Sequence, residues 1–192
     1  MKKVSKGQYG YLAYRKKRTL TNTIIYAVIC IVVYVVGLLL NHMSRQNIFT
    51  VIAVLGVLPM VKQMVGFVVV FPFHNMEKEV YDKAEQELPE GMELMADLVI
   101  TSSEKIMHLD MLAVCNHRVL AVLGDGKQEL SYVREYLSKG VANWGTDYKV
   151  QIVEKHKGFF QEMERISEIA PCTDEEQEEL DNVKSYLRSL IV

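Results

Sequence analysis

The sequence predicts a membrane-anchored α/β protein: a two-helix transmembrane hairpin, then a cytoplasmic domain of order helix, three strands, helix, strand, helices. Three observations predict it. All 24 acidic residues of the 192-residue chain lie at or after Glu77. No charge separates Arg18 from Arg45, and Ile24 to Leu40 is almost unbroken apolar sequence, close to the ~20 residues that cross a hydrocarbon core. Residues 77–192 carry 13 basic against 24 acidic residues, a net of −11, with apolar positions spaced as in a compact α/β unit. The overall charge of −2 and the mean hydropathy of +0.06 average over these unlike parts. The distribution excludes an ordinary soluble domain, a disordered chain and a uniformly basic nucleic-acid binder.

Along the chain this reads as a basic cytoplasmic arm over 1–18, a hairpin over 19–76 and an acidic cytoplasmic domain over 77–192. The spans are about 22–41 and 48–73. The first runs from Leu38-Leu39-Leu40 directly into Asn41, His42 and Ser44, without the small-residue cleavage site of a signal peptide. The second contains Pro59, which removes a backbone donor and predicts a kink. It spans with tilt, or else its first half is re-entrant and the rest interfacial. Lys2, Lys3, Lys6, Arg15, Lys16, Lys17 and Arg18 precede the first span, whereas the link offers Arg45 alone. The positive-inside rule therefore puts both termini in the cytoplasm. Arg15 to Arg18 mark topology or meet lipid headgroups, and Tyr9, Tyr11 and Tyr14 between the basic residues suit the headgroup layer. Lys62 and Gln63 are the polar residues inside the second span, and no acid in either span can pair with Lys62. Cys30, Cys115 and Cys172 lack paired spacing, as expected of reduced thiols.

The soluble part opens with a helix over Glu77–Leu88, read as continuing from the second span and ended by Pro89 and Gly91. Strands follow at Leu94–Thr101, Ile106–Cys115 and Val119–Leu123, joined by links short enough for antiparallel neighbours. A helix from about Glu129 to Lys139 buries Leu130, Val133 and Leu137. Tyr148–Val153 alternates as a strand does. A helix over Phe159–Ile169 precedes Pro171, and Thr173 with Glu176 has capping-box spacing before a stripe of Leu180, Val183, Leu187 and Ile191.

Asp110 lies in the second strand, and Asp125-Gly126-Lys127 follows the third. With the order helix, three strands, helix, strand, this resembles the core of the restriction-endonuclease-like PD-(D/E)XK nucleases over residues 77–155. The resemblance implies that Asp110 and Asp125 hold Mg²⁺ while Lys127 positions or activates the attacking water. The sequence departs from that pattern, because Gly124-Asp125-Gly126 is turn chemistry where the family has strand. The acidic surface also weighs against nucleic acid as a partner. His108, Asp110 and His117 stand near one another in sequence without zinc-type spacing, so no metal site and no cofactor is expected apart from Mg²⁺ in the nuclease case. The leading expectation is a non-catalytic integral membrane protein whose domain binds a partner or senses a ligand. Its partners would be membrane lipid and a protein partner or second copy. The alternatives are a membrane-tethered nuclease and a small subunit of a transport or channel assembly, with Lys62 facing other spans.

Overall fold

The structure is a computed structural model that describes residues 4–44, 46–124, 126, 128–166 and 173–192. Lys2, Lys3, Arg45, Asp125, Lys127, Ile169, Pro171 and Cys172 lie outside the described residues. The chain divides into two compact units, residues 14–72 and residues 1–13 with 73–192.

The first unit is built on two helices, α1 (Tyr11–Leu40) and α2 (Ile48–Val70). Both are long and apolar enough to cross a membrane. Helix α1 starts well before the expected span, so the basic run Arg15–Arg18 rides on the same unbroken helix as the apolar run. The two helices pack antiparallel through small residues. Gly37 faces Phe49, a Cβ on Gly56 would lie 2.8 Å from Cys30 Sγ, and one on Gly66 would meet Thr19 at 3.7 Å. Asn47 caps α2 by accepting from the Thr50 amide at 2.9 Å. Helix α2 continues through Pro59. Outward-facing Ile24, Ile31, Leu39, Ile48, Leu58 and Phe71 are exposed, an apolar surface of the kind that marks a membrane or protein contact.

The second unit holds a four-stranded sheet with strand order β1-β2-β3-β4: β1 (Glu93–Thr101), β2 (Ile106–Cys115), β3 (Arg118–Leu123) and β4 (Lys149–Val153). The first three strands form an antiparallel meander, as the short links require. Helix α4 (Leu130–Val141) makes the crossover that lets β4 lie parallel to β3. Residues of β2 separate two layers. Met111, Ala113 and Cys115 share a core cluster with Ala84 of α3 (Lys78–Gln86) and with Phe159 and Met163 of α5 (His156–Arg165). Leu112 and Val114 alternate to the other face and are equally buried. That face belongs to α4 and α6 (Asp174–Leu190), which touch each other and bury Val133, Leu137, Val141, Leu180, Val183 and Leu187. Coverage of both faces explains why β1 and β2 read as nearly continuous apolar runs. The Thr173–Glu176 capping box forms as the spacing predicts.

Two expectations need correction. The helix of the second span does not continue into α3. Helix α2 ends at Val70, Phe71 caps it, and residues 73–77 are non-helical before Lys78. Phe71 still holds helical dihedrals, φ −58° and ψ −46°, but Pro72 offers no amide donor to extend the ladder beyond it. The basic arm is also not separate, because residues 4–13 pack into the second unit. The Ala96 amide donates to the Gly7 carbonyl at 2.9 Å, Tyr9 stacks on Tyr81 with ring centroids 5.0 Å apart, and Tyr11 and Leu12 are buried. Tyr9 and Tyr11 are thus spent on protein contacts rather than on a headgroup layer.

Candidate functional site

Two acidic residues interrupt the apolar sheet, and each organises a cluster. The first is Asp97, fully buried in β1 and held in the left-handed region at φ 55°. The ladder pairs Ala96 with Met111 and Leu98 with Leu109 and passes over it. Its carboxylate accepts from the Gly10 amide at 2.7 Å, Asn75 Nδ2 at 2.6 Å and the Met76 amide at 2.9 Å. One side chain thereby ties the segment before α1 and the segment after α2 to the same strand. Burial pushes the Asp97 pKa up, against the lowering effect of those three donors. Burial and the nearby Asp97 charge also push the Tyr9 phenol up.

The second is Asp110, at a register shift between Leu109 and Met111 where β2 carries one more residue than β3. Asp110 Oδ2 lies 2.8 Å from Nε2 of His156, the first residue of α5. Its Oδ1 is 4.0 Å from Nδ1 of His108, which is fully buried under the Phe73 ring at 4.9 Å between centroids. Gln128 holds the strand end in place. Its carbonyl oxygen accepts from the His108 amide at 2.7 Å, and its amide donates to the His108 carbonyl at 2.7 Å. Gly124 is required here, because a Cβ on it would meet the His108 ring and lie 2.5 Å from Asp110 Oδ1. The result is a carboxylate between two imidazoles, one buried and one half-exposed. Such a group can present the His156 ring to a ligand.

His156 also lines a groove of about 880 Å³ between α3 and α5. Val80, Phe160 and Met163 supply its apolar lining, and Glu79, Glu87, Glu164, Lys83 and Lys157 its charged rim. Lys83 lies over the Phe160 ring at 4.6 Å. An apolar floor with polar groups of both signs suits a peptide or a small polar ligand.

The residues singled out from the sequence fall in three places. Asp110 stands in the second cluster, while Asp125 and Lys127 lie outside the described residues. His117 is not beside His108 and Asp110. It sits in the β2–β3 turn, where its ring bonds the Thr146 carbonyl at 3.0 Å and Glu176 Oε1 at 3.3 Å. Those contacts raise the His117 pKa, the Thr146 carbonyl foremost. Glu176 is lowered to about 2, first by the Thr173 amide and then by His117. Lys62 is exposed on α2, and Gln63 is half-buried. Lys16 donates to the Phe71 carbonyl at 2.8 Å. Among the described residues no group of three His, Cys, Asp or Glu side chains could hold a metal ion. Sequence reasoning missed Asp97 and His156. An acid within Leu94–Ile100 was a usable signal for Asp97, whereas His156 carries none, being brought to Asp110 only by the packing of α5. Compared with protein families, with curated proteins and with solved structures, the chain has no significant match.

Proposed function

We propose that this chain is a two-span membrane protein whose α/β domain is a cytoplasmic binding module, receiving a protein partner or ligand in the groove between α3 and α5. The observation that carries the reading is the Asp97 cluster. Residues before α1 and after α2 meet on one carboxylate, which calls for an even number of crossings between them. Two apolar helices supply that number. The basic residues in and before the first turns of α1 then favour the cytoplasm for this side. Binding rather than catalysis is supported by the groove's mixed charge and apolar lining.

A photo-crosslinker at Gln161 in the full chain, activated in intact cells, tests the module. A repeatable partner or ligand adduct that is lost in Phe160→Glu, and kept when the crosslinker is moved to Glu178 on α6, supports it. An adduct pattern indifferent to Phe160→Glu removes the groove from the proposal. Reporter fusions at either terminus test the topology, and opposite locations for the two ends would overturn the hairpin.

One observation favours a membrane-tethered nuclease as the second reading. Gly124, the residue before Asp125 in sequence, packs against Asp110, so β3 ends beside the β2 carboxylate. Yet the described residues supply only Asp110 of the implied Mg²⁺ ligands, with one of its oxygens bonded to His156. They do not make up a Mg²⁺ centre, and no catalytic step is drawn through one. Purified full chain with Mg²⁺ or Mn²⁺ should cut DNA or RNA under this reading, and Lys127→Ala should abolish cutting. Absence of cutting, or its survival in the variant, eliminates the nuclease.

A further inference from the structure

We infer that Lys62 and the basic turn Arg15, Lys17 and Arg18 form a binding surface for anionic phospholipid headgroups in a single leaflet. The inference rests on the membrane reading above and answers a question it leaves, namely what neutralises Lys62.

The register of the hairpin sets the levels. Phe49 lies against Gly37, Cys30 against Gly56 and Thr19 against Gly66, and Lys16 donates to the Phe71 carbonyl. Continuing that antiparallel register, Arg15 to Arg18 stand level with Val68 to Phe71, the end of α2. Lys62 stands level with Ile24, at the foot of the apolar run. Nine residues separate Lys62 from Phe71, about 13 Å of helix, against fourteen and about 21 Å back to Ile48. Lys62 is therefore nearer the end that carries the basic turn. Its four-carbon stem takes the ammonium further that way, since a charged head moves toward the nearer interface.

The available counter-charges narrow the partner. No acid precedes Glu77, so neither helix can neutralise Lys62 or the basic turn. Lys16 is folded back on the Phe71 carbonyl and ring. Arg15, Lys17 and Arg18 stand at about 0°, 200° and 300° around α1, so they spread positive charge around its circumference within one turn. Phosphate oxygens of diacyl lipids lie at that depth and sign. Each cation near such a surface is worth about fivefold in partitioning, so three in one turn amount to about a hundredfold at most.

The test uses the full chain in neutral detergent micelles, titrated with phosphatidylglycerol or phosphatidylcholine and read by native mass spectrometry. Wild type should retain phosphatidylglycerol at least tenfold better than phosphatidylcholine. The Arg15→Gln, Lys17→Gln, Arg18→Gln triple variant should lose most of that preference. Lys62→Gln should lose about fivefold, and Lys62→Arg should restore it. Equal retention of the two lipids by wild type, or an undiminished preference in the triple variant, overturns the inference. Alkaline extraction of cell membranes separates the two levels of the argument. A chain released into the supernatant defeats the membrane reading, whereas an integral chain without lipid preference defeats only this inference.

Discussion

Replacing Asp97 is the sharpest perturbation of this architecture. Its carboxylate satisfies two backbone amides, Gly10 and Met76, and the Asn75 side chain. In Asp97→Ala the half-buried Asn75 can turn to water, but the Met76 amide is buried and the Gly10 amide partly so. Leaving two such donors unmade costs about 1–3 kcal/mol each. Holding Ala at φ 55° adds about 1–2 kcal/mol. Removing a buried carboxylate recovers part of its desolvation cost, several kcal/mol at most, which leaves a net loss of about 2–4 kcal/mol. Asp97→Gly avoids the backbone strain and should fall about 1 kcal/mol short of Ala. Asp97→Asn keeps shape and left-handed tolerance but presents an amine to one donor, and should cost least. Urea unfolding of the full chain in micelles, followed by the single tryptophan Trp144, gives the order Asn, Gly, Ala. Hydrogen exchange at Gly10 and Met76 should accelerate together in all three. A loss below about 0.5 kcal/mol in Asp97→Ala, with unchanged exchange at both amides, would refute the clasp.

Further outcomes follow from the same contacts. Gly124→Ala forces a Cβ onto His108 and Asp110 and should cost about 1–3 kcal/mol by overpacking, visible as a lowered melting temperature. Phe159→Ala empties the centre of the α3–α5 layer and should cost about 3–5 kcal/mol in the same unfolding assay. The His117–Glu176 contact has two pH limits. The raised His117 pKa contributes stability that is complete below the unfolded value of about 6.5 and fades as pH rises through the folded one. The lowered Glu176 pKa contributes stability that is present above about 4.5 and fades as pH falls toward 2. The tie is therefore strongest between these limits, and His117→Gln should flatten the alkaline side of a melting temperature–pH profile. A profile identical to wild type would remove His117 from the account.

What could be read from the sequence was what is local. The three meander strands, the α4 and α6 stripes and the Thr173 cap were legible because each is written within a dozen neighbouring residues. Asp110 was legible as a polar break in an apolar strand. The contacts that build the clusters were not. Gly10 meets Asp97 across 87 positions, Asn75 meets it across 22, and His156 meets Asp110 across 46. Nothing in the periodicity of any one segment encodes such a pairing. The expected continuity from α2 into α3 failed for a related reason. Apolar run and amphipathic helix were each recognised, but Pro72 between them was given too little weight against their propensity to continue.

The sheet's outer strands differ in a way that bears on how copies of this protein could associate. On β1 the outer edge is engaged at Ala96, Val99 and Ile100. Gly7 receives the Ala96 amide, Ile191 bridges Ile100, and the Val192 amide donates to the Val99 carbonyl. That side of the sheet is sealed by segments from both ends of the chain, so a foreign strand finds no template there. Strand β4, five residues opening on exposed Lys149, is the other rim. Growth of the sheet by strand addition is thus confined to the short β4 border, and the longest edge is protected from polymerisation.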